Sequence, residues 1–408
     1  MKIAIMHYSS PPIVGGVESV VGHHALLMAK AGHEVAILAG RGKEFDDHIP
    51  VLVLPRLDSR HPEVIKVKEQ LDLGKLTEDF DALCNQIKME LKETLQGYEL
   101  LIAHNVASLN KNLPLTAALS HAYKTPEFPR LVLWHHDLAW SVERHHSELY
   151  EGYPWDLLRS IWTGATHVTV SKVRRRELSD LTGIPGEFIR VIPNGVDLSS
   201  FFKLETRTVQ LMEQLNLTQA DPLFLLPVRL TRRKNIEQAL RILAKLRIYY
   251  PNAMLVVTGP EGPHDPGNAA YKQDLLHLRD ELNLQGSAQF LAEASEETLP
   301  DAIIADLYRL ADALVFPSYE EGFGIPVIEA AFNSIPVFCA DIPVLRELGG
   351  EDASYFGTQA DPDSIAKQIS VRLEREPTSR LSRRLKHGYT WDSIYRLHIA
   401  PLILEVMA

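Results

Sequence analysis

The sequence predicts an α/β fold, with two doubly wound parallel sheets in one chain. Short apolar runs alternate with longer amphipathic segments from end to end, the pattern of parallel strands joined by covering helices. The alternation completes one series, passes a turn-rich stretch near the middle, and starts again. At 408 residues the chain also exceeds one ordinary domain of roughly 150 residues, and two domains suit two series.

Lys2–Met6 reads as a buried first strand, followed by a Pro/Gly loop and a helix from about Val17 to Ala31 that stops at Gly32. Further strands are expected at Val35–Ala39, Val51–Leu54, Leu100–His104, Leu131–Trp134, His167–Val170 and Ile189–Ile192. The second series runs Leu223–Val228, Met254–Thr258, Ala288–Leu291, Ala313–Phe316, Val337–Cys339 and Ser354–Phe356. Pro193-Asn194-Gly195-Val196-Asp197 lies between them as a hinge, so the expected domains are 1–194 and 195–388. In the tail 389–408, Trp391, Ile394, Leu397, Ile399, Leu402 and Leu404 recur at roughly helical spacing, and this segment is expected to cross back to the first domain.

Composition narrows the function. A net charge of −11 opposes a diffuse basic surface for nucleic acid. Cys84 and Cys339 are too far apart for a thiolate metal site or a disulfide framework, which fits a reducing cytoplasm. The longest charge-free run, Ile3–Val17, is broken by prolines and glycines and falls short of the roughly 18 apolar residues of a membrane span. No signal peptide or anchor is expected.

The most informative stretch is Tyr319-Glu320-Glu321-Gly322-Phe323-Gly324-Ile325-Pro326-Val327-Ile328-Glu329. It follows a strand, where ligands of open α/β sheets bind, and Pro326 near a helix start leaves the amides around Gly324 free for an anionic group. Glu321 in the loop and Glu329 in the helix bracket that helix start, each able to accept from vicinal hydroxyls. The plain alternative is a tight turn with a dipole-stabilising glutamate. Arg229-Leu230-Thr231-Arg232-Arg233-Lys234-Asn235 follows another strand, and four cations there suit a diphosphate clamp, with Arg229 and Lys234 the best placed. A solvated basic loop is the alternative.

In the first half, Gly15 and Gly16 follow the first strand and open a helix, so their amides could approach a phosphate or sugar. The stretch is not GxGxxG and lacks an acidic ribose hook, which disfavours nicotinamide binding. Trp134-His135-His136-Asp137-Leu138-Ala139-Trp140 looks like a polar substrate floor, with His136 reaching a sugar and His135 a satisfied core histidine. No third ligand stands at a useful spacing, so no metal site is expected. Asp137, Tyr153 and Trp155 are candidates to shape an acceptor pocket, the aromatics being equally able to serve the core. Basic runs at Lys172–Arg176 and Arg380–Lys386 read as solvated helix faces, or as peripheral contacts to an anionic bilayer.

Glu321-Gly-Phe-Gly-Ile-Pro-Val-Ile-Glu329 resembles the E-x7-E signature of retaining GT-B glycosyltransferases of family 4, and the resemblance extends to Pro193–Asp197, Arg229 with Lys234, Gly15-Gly16 and Trp391. The Trp134–Trp140 string with Gly152–Asp156 is similar to mannosylglucosylglycerate synthase-like enzymes, which glycosylate small polar solutes. The resemblance implies two Rossmann-like domains facing a cleft and a nucleoside-diphosphate sugar of the GDP-mannose or UDP-glucose type. Glu329 would then hold the ribose, Glu321 the donor sugar, Arg229 and Lys234 the diphosphate, and Leu291, Gly322, Phe323, Gly324 and Ile325 the rest of the donor. His136 would reach the transferred hexose. No cofactor is required, Mg2+ can accompany the diphosphate without dedicated ligands, and a homo-oligomer is compatible. Two departures stand out: Asn235 and Ala292 occupy positions where relatives commonly carry glycine. The rival readings are an epimerase or phosphorylase of the same fold, or a noncatalytic nucleotide-sugar-binding module at a membrane.

Overall fold

The computed structural model describes residues 1–261, 267–293 and 299–408. They form two compact units, Met1–Gly195 with Trp391–Ala408, and Val196–Thr390. The sequence pattern put the crossings after residues 194 and 388; they come after Gly195 and Thr390. Packing explains the shift. Gly195 lies so close to Trp391 that a Cβ there would stand 2.7 Å from the indole, whereas Val196 donates its amide to the carbonyl of Tyr389 at 2.8 Å.

The first unit holds strands β1 (Lys2–His7), β2 (Glu34–Ala39), β3 (Val51–Val53), β4 (Leu100–His104), β5 (Arg130–His135), β6 (Thr166–Thr169) and β7 (Ile189–Val191). Its helices are α1 (Gly16–Lys30), α2 (Pro62–Leu71), α3 (Glu78–Thr94), α4 (Leu113–Ala122) and α5 (Lys172–Thr182). All strands run parallel in the order β3-β2-β1-β4-β5-β6-β7. Successive side chains alternate between faces, so each apolar strand feeds two cores. Ile3, Ile5, Ile37, Ile102 and Trp134 pack with α1 on one face, and Ala4, Met6, Leu38, Leu101 and Leu133 with α2, α3 and α4 on the other.

The second unit holds β8 (Leu223–Leu226), β9 (Met254–Val257), β10 (Ala288–Phe290), β11 (Ala313–Phe316), β12 (Val337–Ala340) and β13 (Ser354–Phe356) in the order β10-β9-β8-β11-β12-β13. Its helices are α6 (Leu198–Phe202), α7 (Thr206–Gln214), α8 (Ile236–Tyr249), α9 (Gly267–Glu281), α10 (Asp301–Leu310), α11 (Ile325–Phe332), α12 (Pro343–Gly349), α13 (Pro362–Arg375) and α14 (Pro377–Gly388). The chain then returns as α15 (Trp391–Ile394), a π-helical turn (Tyr395–Ile399) and α16 (Ala400–Met407). Pro401 cannot donate to an α-type ladder, and the wider turn directly before it absorbs that defect. Trp391, Ile394, Ile399, Leu402 and Ile403 bury themselves on the α1 face of the first sheet. Among the described residues no helix is long and apolar enough to cross a membrane.

Candidate active site

Both sheets reverse strand order once, between β1 and β4 and between β8 and β11. Loops leaving such a pair diverge and open a crevice at the strands' carboxyl ends. Glu321, Lys234 and Arg229 lie at the second unit's reversal point, while Leu291, Tyr153 and Trp155 lie elsewhere in their units.

In the second unit, the loop after β8 carries Arg229 to Asn235 and the loop after β11 carries Ser318 to Gly324. They are joined by an ion pair, Lys234 Nζ to Glu321 Oε1 at 2.5 Å, with both side chains about nine-tenths buried. Arg233 approaches the other oxygen of Glu321 at 3.6 Å. Burial pulls the Lys234 ammonium below its ordinary value while Glu321 opposes the drop. Arg233 therefore belongs beside Lys234, although the sequence pattern singled out only Arg229 and Lys234. Arg229 is exposed and has no ion pair among the described residues; Arg232 instead pairs with Asp274 on α9 and covers the Tyr271 ring.

Asn235 explains its own departure from glycine. It adopts a left-handed backbone, φ 51°, which asparagine tolerates, and its amide donates to the carbonyls of Pro317 and Thr358 at 3.0 Å each. The side chain thus staples the β8 loop to the β11 loop. Gly324 is left-handed as well, φ 98°, and a Cβ there would meet Leu345 at 2.6 Å. Pro326, in the first turn of α11, has no amide and the Val327 amide donates to the Gly324 carbonyl at 2.9 Å, which leaves the Ile325 amide outside the helical ladder. Glu329 lies further along α11, and Tyr308 of α10, buried, donates to the Pro326 carbonyl at 3.3 Å beside it; burial first and the neighbouring Glu329 carboxylate second push the phenol far up. Tyr308 carried no signal in sequence because it looks like any core aromatic.

Leu291, expected among the donor contacts, has a side chain 3% exposed inside the second unit's core, in a 3-10 turn after β10, so its backbone is the part left to face a ligand. Ala292 beside it is tied down through its carbonyl, which accepts from Lys272 at 3.2 Å.

In the first unit, β1 ends in His7, Tyr8 and Ser9, β4 in His104 and Asn105, and β5 in His135 and His136. Asn105, left-handed at φ 59°, accepts the amides of His136 (2.8 Å) and Asp137 (3.2 Å) on one side-chain oxygen, which fixes the exit of β5. His136 Nε2 meets His104 Nδ1 at 3.0 Å, and His7 Nδ1 donates to the His104 carbonyl at 3.0 Å. Burial, aided by His7, depresses His136 to about 3, so it is neutral at pH 7. His135 is the core histidine expected, paired to His167 at 3.1 Å.

Gly15 and Gly16 do not present a bare anion cradle. The Glu18 carboxylate folds back over the loop, so that a Cβ on Gly15 would lie 2.0 Å from Glu18 Oε2, while Gly16 has open space. Ser9 Oγ donates to Glu18 at 2.6 Å and His7 Nε2 stands 4.0 Å away. Burial works to raise the Glu18 carboxyl, but Ser9, its own amide, His7 and Lys111 hold it below the usual range. A phosphate approaching here meets like charge, whereas a sugar hydroxyl finds an acceptor.

Trp155, a candidate for the acceptor pocket, is 3% exposed in the core on the α3–α4 face, its ring tilted 59° to that of Tyr150. Tyr153 leans edge-on against Phe80 of α3 and flat against His121 of α4. Asp137 and Tyr153 are both exposed, and Asp137 directly follows His136 in the chain. Among the described residues no cluster of three or more His, Cys, Asp or Glu could hold a metal ion.

Two family descriptions together match most of the chain: "Glycosyltransferase Family 4" over residues 14–200 and "Glycosyl transferases group 1" over residues 209–387. The chain belongs to glycosyltransferase family 4. The two doubly wound units of this glycosyltransferase are those of the GT-B fold. It is 26% identical to mannosylglucosylglycerate synthase of Thermotoga maritima over 94% of this chain and 92% of the relative. It is 23% identical to MMP alpha-(1->4)-mannosyltransferase of Mycolicibacterium hassiacum over 97% of this chain and 96% of that one. A serotype-specific mannosyltransferase of Escherichia coli is 45% identical over 77 residues, 19% of the glycosyltransferase chain.

Proposed function

We propose that this glycosyltransferase moves a hexose, mannose before glucose, from a nucleoside-diphosphate sugar to a hydroxyl of a small polar or glycosidic acceptor in the cytosol, with retention at the anomeric carbon. The observation that carries the reading is the buried Lys234–Glu321 pair at the β8/β11 reversal point, flanked by Arg233 and the open start of α11. A carboxylate holding a lysine in place presents one cation to a departing diphosphate and keeps its other oxygen for a sugar hydroxyl. Charge on the leaving group peaks in the transition state, where such fixed cations and free helix amides act most strongly. Glu329, beside Tyr308, takes the ribose hydroxyls in this reading, and His136 is a sugar-contacting residue of the first unit. Mannose is preferred because full-length relatives are named for mannosyl transfer. The family does not favour the epimerase, phosphorylase or noncatalytic readings. Mg2+ enters only as a companion of the diphosphate in solution.

The test is purified protein incubated with GDP- and UDP-sugars and a panel of small polyol, sugar-acid and glycoside acceptors. Nucleoside diphosphate should appear in step with an α-linked product from an α-linked donor. Lys234→Ala should lower turnover about 100-fold with the fold intact by circular dichroism. Wild-type turnover in that variant, or an inverted product, overturns the assignment.

A further inference from the structure

Six histidines of the first unit, His7, His24, His104, His135, His136 and His167, are buried around its sheet. Two pairs among them share one geometry, each joining neighbouring strand ends. His104 Nδ1 meets His136 Nε2 at 3.0 Å, with rings 5.3 Å apart and only 26° from parallel. His135 Nε2 meets His167 Nδ1 at 3.1 Å, with rings 5.3 Å apart and 10° from parallel. Both are edge-to-edge bonds between nearly coplanar neutral rings, in which one nitrogen must carry the proton and the other must be bare.

The pairs differ in what is left over. In His135–His167 both remaining nitrogens are buried without a partner, so either placement of the proton strands one N–H. In His104–His136 only His104 Nε2 is buried and unpartnered; His136 Nδ1 is not among the stranded atoms, and no hydrogen bond engages it among the described residues. If His136 Nε2 donated, His104 would have to carry its own proton on the stranded Nε2. If His104 Nδ1 donates, the stranded atom is a bare nitrogen and His136 carries its proton on Nδ1. A buried N–H without an acceptor costs more than an idle lone pair, and such groups are correspondingly rarer.

We propose that His104 is a positioning residue that holds His136 in the Nδ1–H tautomer, making His136 a hydrogen-bond donor to an oxygen of the transferred sugar and not a base. This rests on the transferase reading for its consequence but not for its geometry. His104 is held in turn, since its carbonyl accepts from His7 and Trp134 stacks on its ring at 23°. A donor that stays neutral suits this place, because it can bind a sugar hydroxyl or ring oxygen without adding a fixed cation where positive charge builds on the sugar.

The test reads the tautomer in the free protein. Protein labelled with 15N in its imidazoles is examined by long-range proton–nitrogen correlation, with signals assigned through His136→Gln and His104→Gln. Both rings of the pair should show Nδ1–H and a bare Nε2. His104→Leu should release His136 to a mixture of tautomers and lower kcat about tenfold, with donor KM changed less than about twofold. His104→Gln, whose amide can still donate to Nε2, should keep the Nδ1–H form and recover most of the rate; with the wild-type spectrum it decides the matter should the leucine variant not fold. An Nε2–H signal for His136 in the wild-type protein, or full kcat in a folded His104→Leu, overturns the proposal. Sugar transfer by a protein with Nε2–H would leave the transferase reading standing, whereas Nδ1–H without transfer from any donor would remove that reading alone.

Discussion

Single side chains at this site act through partners that their own sequence neighbourhoods do not reveal. Lys234 and Glu321 are 87 positions apart and become one unit only when β8 and β11 lie side by side. Tyr308 reaches α11 in the same way from α10, its hydroxyl donating to the Pro326 carbonyl beside Glu329. Tyr308→Phe removes that donor without changing the packed volume much. With the α11 start and its neighbour Glu329 held less firmly, a ribose should bind less well, so donor KM should rise about three- to tenfold while kcat moves less. Steady-state kinetics with varied donor checks this, and an unchanged KM would detach Tyr308 from the site. The sequence could name Glu321, Glu329 and Lys234 because charged residues beside a helix start have few structural uses there. It could not separate Trp155 from an acceptor platform, since a buried tryptophan and a ligand-stacking one look alike without burial.

At the scale of strands and helices, the histidines on β1, β4, β5, β6 and α1 give the first unit an acid weakness. Burial lowers His24 and His136 to about 3 and His167 to about 4, and pulls His7, His104 and His135 down from 6.5 as well. Each stays neutral in the fold but is protonated in the unfolded chain below 6.5, so the unfolded state binds more protons there. Stability is complete above 6.5 and falls as pH drops, by up to about 1.4 kcal/mol per pH unit for each such group. All five tryptophans lie in the first unit, so their fluorescence reports its unfolding selectively. Thermal melts followed by tryptophan emission should show a steep loss of midpoint between pH 7 and pH 5. A flat midpoint across that range would mean the histidines are not held neutral. Strand positions themselves were legible: the thirteen strands among the described residues match the seven and six runs read from the sequence, because doubly covered parallel strands must be continuously apolar. The pairing of strand ends was not, since periodicity is silent on which strands become neighbours.

For the whole molecule, the return of the chain to the first unit is the feature with the largest energetic consequence. Trp391, Ile394, Ile399, Leu402, Ile403 and Val406 are at most 7% exposed, and Arg190 at the end of the sheet pairs with Glu405. At about 1.5–3 kcal/mol for each large apolar side chain, removing the six forfeits about 9–18 kcal/mol, comparable to the entire stability of a domain. A chain ending at Thr390 should therefore lose the first unit while keeping the second. Its tryptophan emission should shift red while circular dichroism still shows one cooperative helical transition, and native emission from the shortened chain would refute this. The amino-acid sequence alone determined the α/β class, the two series of strands, the inward tail and the residue types at the strand ends, because these follow from hydrophobic periodicity and turn chemistry acting over a few residues. Tertiary structure alone decided that Glu18 fills the Gly15 loop, that Arg233 joins Lys234 around Glu321, and that Leu291 and Trp155 belong to cores. It also decided that His104 faces His136, since strand order sets which distant side chains share a crevice and burial sets which of them keep their protons.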